Sequence, residues 1–461
     1  MVADRARRPS REDAIIDLPA VELRDRMASG ALRVTDLARA FLARIEAREA
    51  DVRAWIWHDP GFVLEQAAAL DAWRTSGRPV GPLHGLPVGV KDIIDTAKIP
   101  TGNGTAIDDG RIPTKDATVV KRLRAAGALI MGKTVTTELA YFAPGKTRNP
   151  HNTEHTPGGS SSGSAAAVAA GMVPLAIGTQ TAGSVIRPAS YCGVVGFKPS
   201  FGSIARDGVL AEAPSLDTIG VFARSPDDAA LVAEVLFGQS DDDPATSIAP
   251  PPALLATSRS RVPVPPDIAF VATPWWGEAS PGMQDGLLEL VEVLGERCRP
   301  VELPAGFAEA RAGHRKIQLA EMARAYRGYE ARGRDRLHAK TVAAIDEGRQ
   351  VLATEYIEAL EARSIYNLVV DELFERFDAI LTPAAPGAAP AGLDATGDPV
   401  FNSFWTMCGL PAVTLPLLAD EAGMPMGVQL VGARGNDGRL LRTANWLIGF
   451  ARAATQGEDV R

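Results

Sequence analysis

Histidine and cysteine are both scarce in this chain, and their scarcity narrows the chemistry that it can support. The 461 residues include six histidines and three cysteines. No histidine occurs between His155 and His314, although a segment rich in serine and glycine lies there. A serine paired with a histidine close in sequence is therefore not expected. Cys192, Cys298 and Cys408 are far apart, which favours neither a zinc cage nor a disulfide framework and fits a reducing compartment.

The sequence also lacks long apolar runs and an excess of positive charge. No stretch of eighteen uninterrupted apolar residues is present, so a membrane span is not expected. Residues 1–13 are polar and charged and lack the apolar core of a signal peptide. The net charge of −8 argues against nonspecific binding to nucleic acid or to anionic membranes. These absences predict a cytoplasmic protein with neither a nucleic-acid nor a membrane partner.

Helical and strand patterns alternate along the chain, which is typical of an α/β layer architecture. Short apolar runs predict buried strands at 86–94 and 173–178, and an alanine-rich run predicts a helix at 164–170. We expect one domain over 1–461. Its predicted parts are a helical N-terminal segment (14–75), a core (76–240), a connector rich in proline, aspartate and serine (241–266), a variable helical segment (305–377) and a C-terminal return to the core (378–450).

Two serines in glycine-rich turns and one lysine in an apolar run are the candidates for chemistry. Ser160 precedes the alanine-rich helix, whose free N–H groups and dipole favour negative charge on a nearby oxygen. Ser184 follows a predicted strand and a Thr-Ala-Gly turn, whose N–H groups can bind a developing oxyanion. Lys91 lies on the small-residue face of a strand, where burial would lower the pKa of the amine and make it a usable base. Each residue also has a purely structural explanation. Ser160 could cap the helix, and Ser184 could be a polar loop residue. Lys91 could lie in solvent on an edge strand or pair with Asp92.

Three familiar motifs match the sequence, but the residues around each do not support the structure that the motif requires. His151 and His155 form the pattern H-x-x-E-H, but prolines on both sides oppose the helix that a metal site of this kind needs, so no metal site is expected. The pattern G-x-S-x-G is centred on Ser161, yet no buried strand precedes it as a nucleophile elbow requires. Ala165 follows Gly-Ser where a phosphate-binding loop would need a basic residue.

Together these segments make the chain resemble the amidase signature family over about residues 21–447. No single segment is specific, whereas the combination is. The matching segments are residues 84–92, 158–199, 215–220, 409–412 and 425–429.

The resemblance implies an α/β fold, in which a large mixed, twisted β-sheet is covered by helices on both faces. It also implies a Ser–cisSer–Lys triad with Ser184 as nucleophile, Ser160 as the bridging serine after a cis peptide, and Lys91 as base. The implied oxyanion hole is formed by the backbone N–H groups of Thr181, Ala182, Gly183 and Ser184. Such a site cleaves a carbon–nitrogen bond through an acyl-enzyme without a metal or an organic cofactor.

The sequence departs from the family pattern beside the expected nucleophile. Gln180 stands where an aspartate is usual, and Ile186 stands where an arginine is usual, with Arg187 one residue later. We expect these two changes to be coupled, with neutral contacts replacing an ion pair behind Ser184. Ala182 replaces a glycine, which indicates that this position does not need a positive φ.

The substrate is predicted from the variable segments, where aromatic residues favour an apolar or aryl group over a charged amino acid. The expected reaction is hydrolysis of a small amide, with aryl carbamates or esters as further substrates, by a monomer or homodimer. Core packing explains the same aromatic residues equally well. The candidate substrate-binding residues are Tyr141, Phe142, Gln180, Phe401 and Trp405.

Three other functions compete with a stand-alone amidase. One is the glutaminase subunit of a tRNA-dependent amidotransferase, which would act only with partner subunits. Another is a non-catalytic binding protein on the same scaffold, which the presence of all three triad residues disfavours. The third is an esterase of the α/β-hydrolase type, which would need His314 or His338.

Overall fold

Eleven strands join in one mixed sheet, which organises the part of the chain that the structure describes. The structure is a computed structural model, and residues 15–456 are described. The strands are β1 Trp55–Trp57, β2 Pro87–Lys91, β3 Leu129–Thr134, β4 Leu175–Gln180, β5 Val195–Lys198, β6 Thr218–Ala223, β7 Ile268–Phe270, β8 Cys298–Pro300, β9 Ala379–Pro383, β10 Ala412–Ala419 and β11 Pro425–Val431. Their order in the sheet is β1-β3-β2-β4-β6-β5-β10-β11-β9-β7-β8.

Fifteen helices within residues 15–456 accompany the sheet. They are α1 Ala20–Ser29, α2 Val34–Val52, α3 Pro60–Thr75, α4 Thr118–Ala125, α5 Ser162–Ala169, α6 Ile186–Cys192, α7 Pro226–Leu236, α8 Leu254–Arg259, α9 Pro281–Leu294, α10 Ala310–Ala325, α11 Arg327–Gly333, α12 Ala339–Gln350, α13 Ala353–Phe374, α14 Ser403–Met407 and α15 Asp437–Thr455. None of these helices is both long and apolar enough to cross a membrane.

Two central strands position the candidate residues. Strand β2 pairs in parallel with β3 on one side and with β4 on the other, with Val90 opposite Ile177. Every residue of β2 and β4 is buried, as expected for central strands covered on both faces. Because parallel strands end at the same edge of a sheet, Lys91 at the end of β2 lies near the segment that follows β4. That segment contains Ser184.

Helix α5 brings Ser160 to the same edge. Its buried face consists of small residues, and Ser164 Oγ donates a hydrogen bond to the Ile177 carbonyl of β4 at 3.0 Å. A Cβ at Gly163 would lie 2.3 Å from the Ala54 carbonyl oxygen, so only glycine allows this close approach. The turn before α5 is therefore held against the ends of β2 and β4.

The α/β fold with a large mixed sheet is confirmed, as are most of the elements predicted near the site. Strands β2 and β4 and helix α5 lie where the apolar and alanine-rich runs predict them. The connector at 241–266 is not wholly loop, because α8 lies within it and its Leu254 is buried. The C-terminal return contains strands β9 to β11, as expected, but it also ends in the long amphipathic helix α15.

Candidate functional site

Lys91 contacts two hydroxyl groups inside the protein. Its side chain has no exposed surface, and Nζ donates hydrogen bonds to Ser160 Oγ and to Thr179 Oγ1, each at 2.7 Å. The neighbouring carboxylate of Asp92 faces elsewhere, because Asp92 Oδ2 accepts from the Gly102 N–H at 3.0 Å. Lys91 is thus neither the edge-strand lysine nor the partner of Asp92 that the sequence alone also allowed.

The charge state of Lys91 follows from its burial. Desolvation lowers the pKa of its amine from 10.5 to about 7, and the nearby carboxyl groups of Glu212 and Asp217 oppose this shift. Burial raises the pKa of Glu212 to about 8 and that of Asp217 to about 6. A substantial share of Lys91 is therefore neutral at pH 7, and a neutral amine has a lone pair that can accept a proton from Ser160.

Ser160 lies in a turn whose conformation is fixed on both sides. The Gly159–Ser160 peptide bond is cis, as the family resemblance implies. Arg187 Nη2 donates to the Gly159 carbonyl at 2.7 Å. The next residue, Ser161, is tied to β4, since its Oγ donates to the Thr179 carbonyl at 3.1 Å and accepts from the Thr179 N–H at 3.2 Å. The hydroxyl of Ser161 is therefore used in structural hydrogen bonds. This agrees with the conclusion that Ser161 is not the centre of a nucleophile elbow.

The loop that carries Ser184 is supported from behind by Gln180. Gln180 Oε1 accepts from the N–H groups of Val185 and Ile186 at 2.8 and 3.0 Å, and its Nε2 donates to Thr406 Oγ1 at 2.9 Å. All of these groups are buried. The expected neutral contacts behind the nucleophile are present between Gln180 and Ile186. Arg187 takes no part in them, because its guanidinium points to Gly159.

The loop leaves N–H groups available at the position of the predicted oxyanion hole. Ala182, Gly183 and Ser184 donate no backbone hydrogen bond to any residue in the described range 15–456. Ala182 has a negative φ, as predicted. A Cβ at Gly183 would lie 2.4 Å from Asn402 Oδ1, so glycine is needed here for space. The turn thus presents three backbone N–H groups that have no acceptor within residues 15–456.

Thr181 is fixed by Asp217 and His314. Its Oγ1 donates to Asp217 Oδ1 at 2.6 Å, and its carbonyl is 3.0 Å from His314 Nε2. Burial lowers the pKa of His314 to about 4, so the ring is neutral at pH 7 and donates its N–H to this carbonyl. The second histidine of the esterase hypothesis, His338, is exposed and caps α12 through the Lys340 N–H.

A small chamber brings the serines together. Ser160 and Ser184 both line it, with Arg187, Glu212 and Gln318. Its volume is about 10 Å³, which is close to the space that one water molecule needs. We name this space the reaction chamber. It shares Tyr141, Phe142, Ala182 and Gln318 with a larger cavity of about 600 Å³.

The larger cavity carries charges of both signs. Arg311, Arg315 and Lys340 line it together with the carboxylates Glu347 and Asp398. Arg311 pairs with Asp398 at 2.7 Å, and Arg315 forms an ion pair with Glu347. Polar groups thus lie beside the aromatic ones in this cavity.

Two of the five residues predicted to bind substrate lie on these cavities. Tyr141 and Phe142 line both, and their rings pack edge to face at 4.9 Å. The structure places Gln180, Phe401 and Trp405 elsewhere: each is 1% exposed and lies within the protein interior. Gln180 supports the loop, and the two aromatic residues are core residues because their apolar area is best removed from water there.

The segment between His151 and His155 forms turns instead of a helix. The His151 ring bonds the Cys192 carbonyl at 2.9 Å, and the His155 ring bonds the Ala389 carbonyl at 2.7 Å. The two imidazoles thus face different partners.

Comparison with known proteins identifies the relatives of this site and fold. A family model described as "Amidase" matches residues 36–441. A curated relative from Symbiobacterium thermophilum, named as a subunit of glutamyl-tRNA(Gln) amidotransferase, is 35% identical over 476 aligned positions, covering 93% of this chain and 95% of the relative. The relative of the same name from Streptomyces coelicolor is 36% identical, with the same coverage.

Solved structures show the same architecture. One of them superposes with a TM-score of 0.87 at 29% identity, covering 95% of this chain and 98% of that chain. It belongs to a vestigial protein complex that is described as revealing the evolutionary origins of an s-triazine catabolic enzyme. The native peptide amidase from Stenotrophomonas maltophilia superposes with a TM-score of 0.81 at 30% identity, covering 96% and 97%.

Proposed function

Since this chain belongs to the amidase family of hydrolases that act on carbon–nitrogen bonds, we propose that it cleaves carboxamides through an ester formed on Ser184. The observation that carries this proposal is the contact between a buried, largely neutral Lys91 and Ser160, in a chamber that Ser184 also lines. This arrangement supplies a nucleophile and a base without a histidine.

In the first half-reaction, Ser184 Oγ forms a bond to the amide carbon. Its proton passes to Ser160 Oγ while Ser160 gives its own proton to Lys91 Nζ. The oxyanion that forms is stabilised by the free N–H groups of the Thr181–Ser184 turn, which are already oriented before reaction. The carbon–nitrogen bond then breaks, and the proton on Lys91 returns through Ser160 to the departing nitrogen.

In the second half-reaction, water attacks the ester carbon. Lys91 takes the water proton through the same serine. The ester bond to Ser184 then breaks, the acid leaves, and the proton on Lys91 returns through Ser160 to Ser184 Oγ. For a primary amide, one water is consumed and one ammonia and one carboxylic acid are formed. Protonation of the leaving nitrogen is the demanding step, because an amide anion is a poor leaving group.

A matched pair of buried lysines tests this proposal. Lys198 also has no exposed surface, and burial lowers its pKa to about 7, but it donates to the Pro199 carbonyl and lies outside the reaction chamber. Ammonia release from a panel of primary amides should be lost in Lys91→Met and retained, per folded molecule, in Lys198→Met. Equal losses in both variants, or turnover by Lys91→Met, would overturn the proposed base.

A second role is favoured by the curated relatives, which are named as a subunit of glutamyl-tRNA(Gln) amidotransferase. In this role the chain would release ammonia from glutamine for a partner protein, by the same chemistry on Ser184. Charges of both signs around the larger cavity support it, because glutamine carries an ammonium and a carboxylate. These relatives favour this role over a stand-alone aryl amidase or carbamate hydrolase.

Glutamine hydrolysis distinguishes the two roles. Hydrolysis of glutamine and, separately, of simple primary amides would be measured with the chain alone. The same measurements would be made after adding the partner subunits of such an amidotransferase. Glutamine turnover that appears only with the partners supports the amidotransferase role. Turnover of simple amides by the chain alone, unaffected by the partners, supports the stand-alone role.

A further inference from the structure

Three arginines line a cavity of about 380 Å³ at the place where α8 packs against α15. They are Arg259, Arg261 and Arg442. The residues that line this cavity, all within the described range 15–456, line neither the reaction chamber nor the larger cavity beside it. We name this space the arginine cavity. The proposed function gives it no role.

The two helices and the segment after α8 bring these side chains together. Arg442 and Trp446 are one helical turn apart on α15, so they lie on the same face of that helix. Helix α8 ends at Arg259, and the irregular segment that follows it carries Arg261 to the same cavity. The cavity thus depends on contact between segments that are almost two hundred positions apart in the sequence.

Asp227 supplies the one carboxylate among the described residues that line the cavity, and much of its hydrogen-bonding capacity is used inside the protein. Its Oδ1 accepts from Ser258 Oγ and from Asn445 Nδ2, each at 2.7 Å. Its Oδ2 lies 3.7 Å from Arg259 Nε, which is too far for a hydrogen bond. Two positive charges of the cavity are therefore uncompensated, although the whole chain has a net charge of −8.

The guanidinium groups of Arg261 and Arg442 have donors to spare. Arg442 Nε is buried and has no hydrogen-bond partner in the described part of the chain, and Nη1 of the same residue reaches Ser260 Oγ only at 3.5 Å. Arg261 forms neither a hydrogen bond nor an ion pair with any residue of 15–456. Like charges around one space repel each other, and an unpaired buried donor is costly. A bound anion would relieve both costs.

The shape and lining of the cavity indicate what kind of anion fits. Guanidinium groups bind phosphate through paired, charge-assisted hydrogen bonds. Trp446 adds a partly buried aromatic ring, which packs on Phe450 with the ring centroids 5.2 Å apart. The volume of about 380 Å³ lies within the range of about 300–1,000 Å³ that is usual for small-molecule sites. A phosphate joined to a planar group uses all of these features.

We propose that the arginine cavity binds a phosphomonoester that carries a planar ring, with the phosphate on Arg261 and Arg442 and the ring against Trp446. A nucleoside monophosphate has this chemistry. The inference goes beyond the proposed function and does not depend on it, because the cavity shares no lining residue with the reaction chamber.

Calorimetry with adenosine monophosphate on the full chain tests the proposal. Wild-type protein should bind this probe saturably, and it should bind inorganic phosphate and adenosine more weakly, because each retains only part of the contacts. Arg442→Met should weaken binding of adenosine monophosphate by about tenfold or more, as expected for lost hydrogen bonds to a charged group. Trp446→Leu should weaken binding of adenosine monophosphate and leave that of inorganic phosphate unchanged. Thermal unfolding would confirm that each variant is folded.

Two further arginine variants are the matched controls. Arg439 lies on the same helix as Arg442 but pairs with Asp378 at 3.4 Å, so Arg439→Met should leave binding of the probe unchanged. Arg315 lines the larger cavity, so Arg315→Met tests whether the phosphate binds there instead, and we expect no effect.

Three results would overturn the inference. The first is the absence of saturable binding at millimolar adenosine monophosphate. The second is binding that is lost in Arg315→Met and retained in Arg442→Met, since it would place the probe in the larger cavity. The third is an equal loss in Arg439→Met and Arg442→Met, which would show a general effect of surface charge.

Discussion

Lys91 and Ser160 are 69 positions apart in the sequence, yet Nζ of the lysine lies 2.7 Å from Oγ of the serine in the protein interior. The contact joins the end of a central strand to a cis peptide before a helix. Because burial disfavours the charged amine, the same contact can transmit a proton from serine to lysine. The predictions below follow from this relationship and from the groups that surround it.

The first prediction concerns the pH profile. Lys91 must be neutral to act as a base, and its pKa is lowered to about 7. kcat/KM for a primary amide should therefore rise with pH through about 7 and fall about tenfold per pH unit well below it. Initial rates between pH 5.5 and 9, with the fraction of folded protein measured at each pH, test this. A rate that is flat or declines as pH rises would contradict the role of Lys91.

The second prediction concerns Asp217, whose pKa of about 6 leaves it mostly ionised at pH 7. Its carboxylate opposes the lowering of the Lys91 pKa, because a negative charge favours the protonated amine. Asp217→Asn should therefore lower the Lys91 pKa further and move the acid limb of the pH profile to lower pH. Asp285→Asn, which changes an exposed carboxylate on α9, should leave the profile unmoved. A shift of the acid limb to higher pH in Asp217→Asn would be the contrary result.

The third prediction concerns stability. The Lys91 pKa is lowered from 10.5 to about 7 in the folded protein, so between these values the unfolded chain holds the extra proton. The contribution of Lys91 to the free energy of unfolding therefore rises with pH between pH 7 and pH 10.5. This contribution is lowest at pH 7 and below. Lys91→Met should raise Tm most near pH 7, and the difference from wild type should shrink towards pH 10.

Lys115 provides the control for this measurement, because its side chain is exposed. Lys115→Met should give a difference in Tm that does not change over the same pH range. A Lys91→Met variant that is less stable than wild type by a constant amount from pH 7 to pH 10 would show that the buried amine is not neutralised.

The fourth prediction concerns the support of the nucleophile loop. Gln180→Ala leaves the buried N–H groups of Val185 and Ile186 without an acceptor. The free energy of unfolding should fall by about 1–3 kcal/mol, and kcat should fall because the Ser184 loop loses its fixed position. Urea unfolding and steady-state rates measure both. Gln350→Ala, at an exposed position, should change neither; a similar loss in the two variants would remove the proposed role of Gln180.

Much of the site follows from sequence because its parts lie within short segments. The apolar run that contains Lys91 and the alanine-rich run after Ser160 each predict a buried element at a candidate residue. The structure brings Lys91, Ser160 and Ser184 to one edge of the sheet, where their catalytic roles remain to be tested. The Gln180 contacts were also foreseeable, since the replacement of an aspartate and the displacement of an arginine occur within one loop.

The remaining parts could not be predicted because they depend on distant segments. Glu212 reaches the chamber from a loop before β6, and Gln318 and His314 approach the site from α10. Nothing in their local sequence distinguishes them from ordinary polar residues. Trp405 could not be assigned from the sequence either, because an aromatic side chain near a site looks the same in sequence whether it contacts substrate or fills the core.

The identity of the nucleophile is the central claim, and trapping of the acyl-enzyme tests it most directly. Protein that is turning over a p-nitrophenyl ester would be quenched in acid, digested and measured by mass spectrometry. We predict that the acyl mass is found on the peptide at Ser184 and that no acyl adduct forms in Ser184→Ala. An acyl group on Ser160, Ser161 or another residue, or full turnover by Ser184→Ala, would contradict the account.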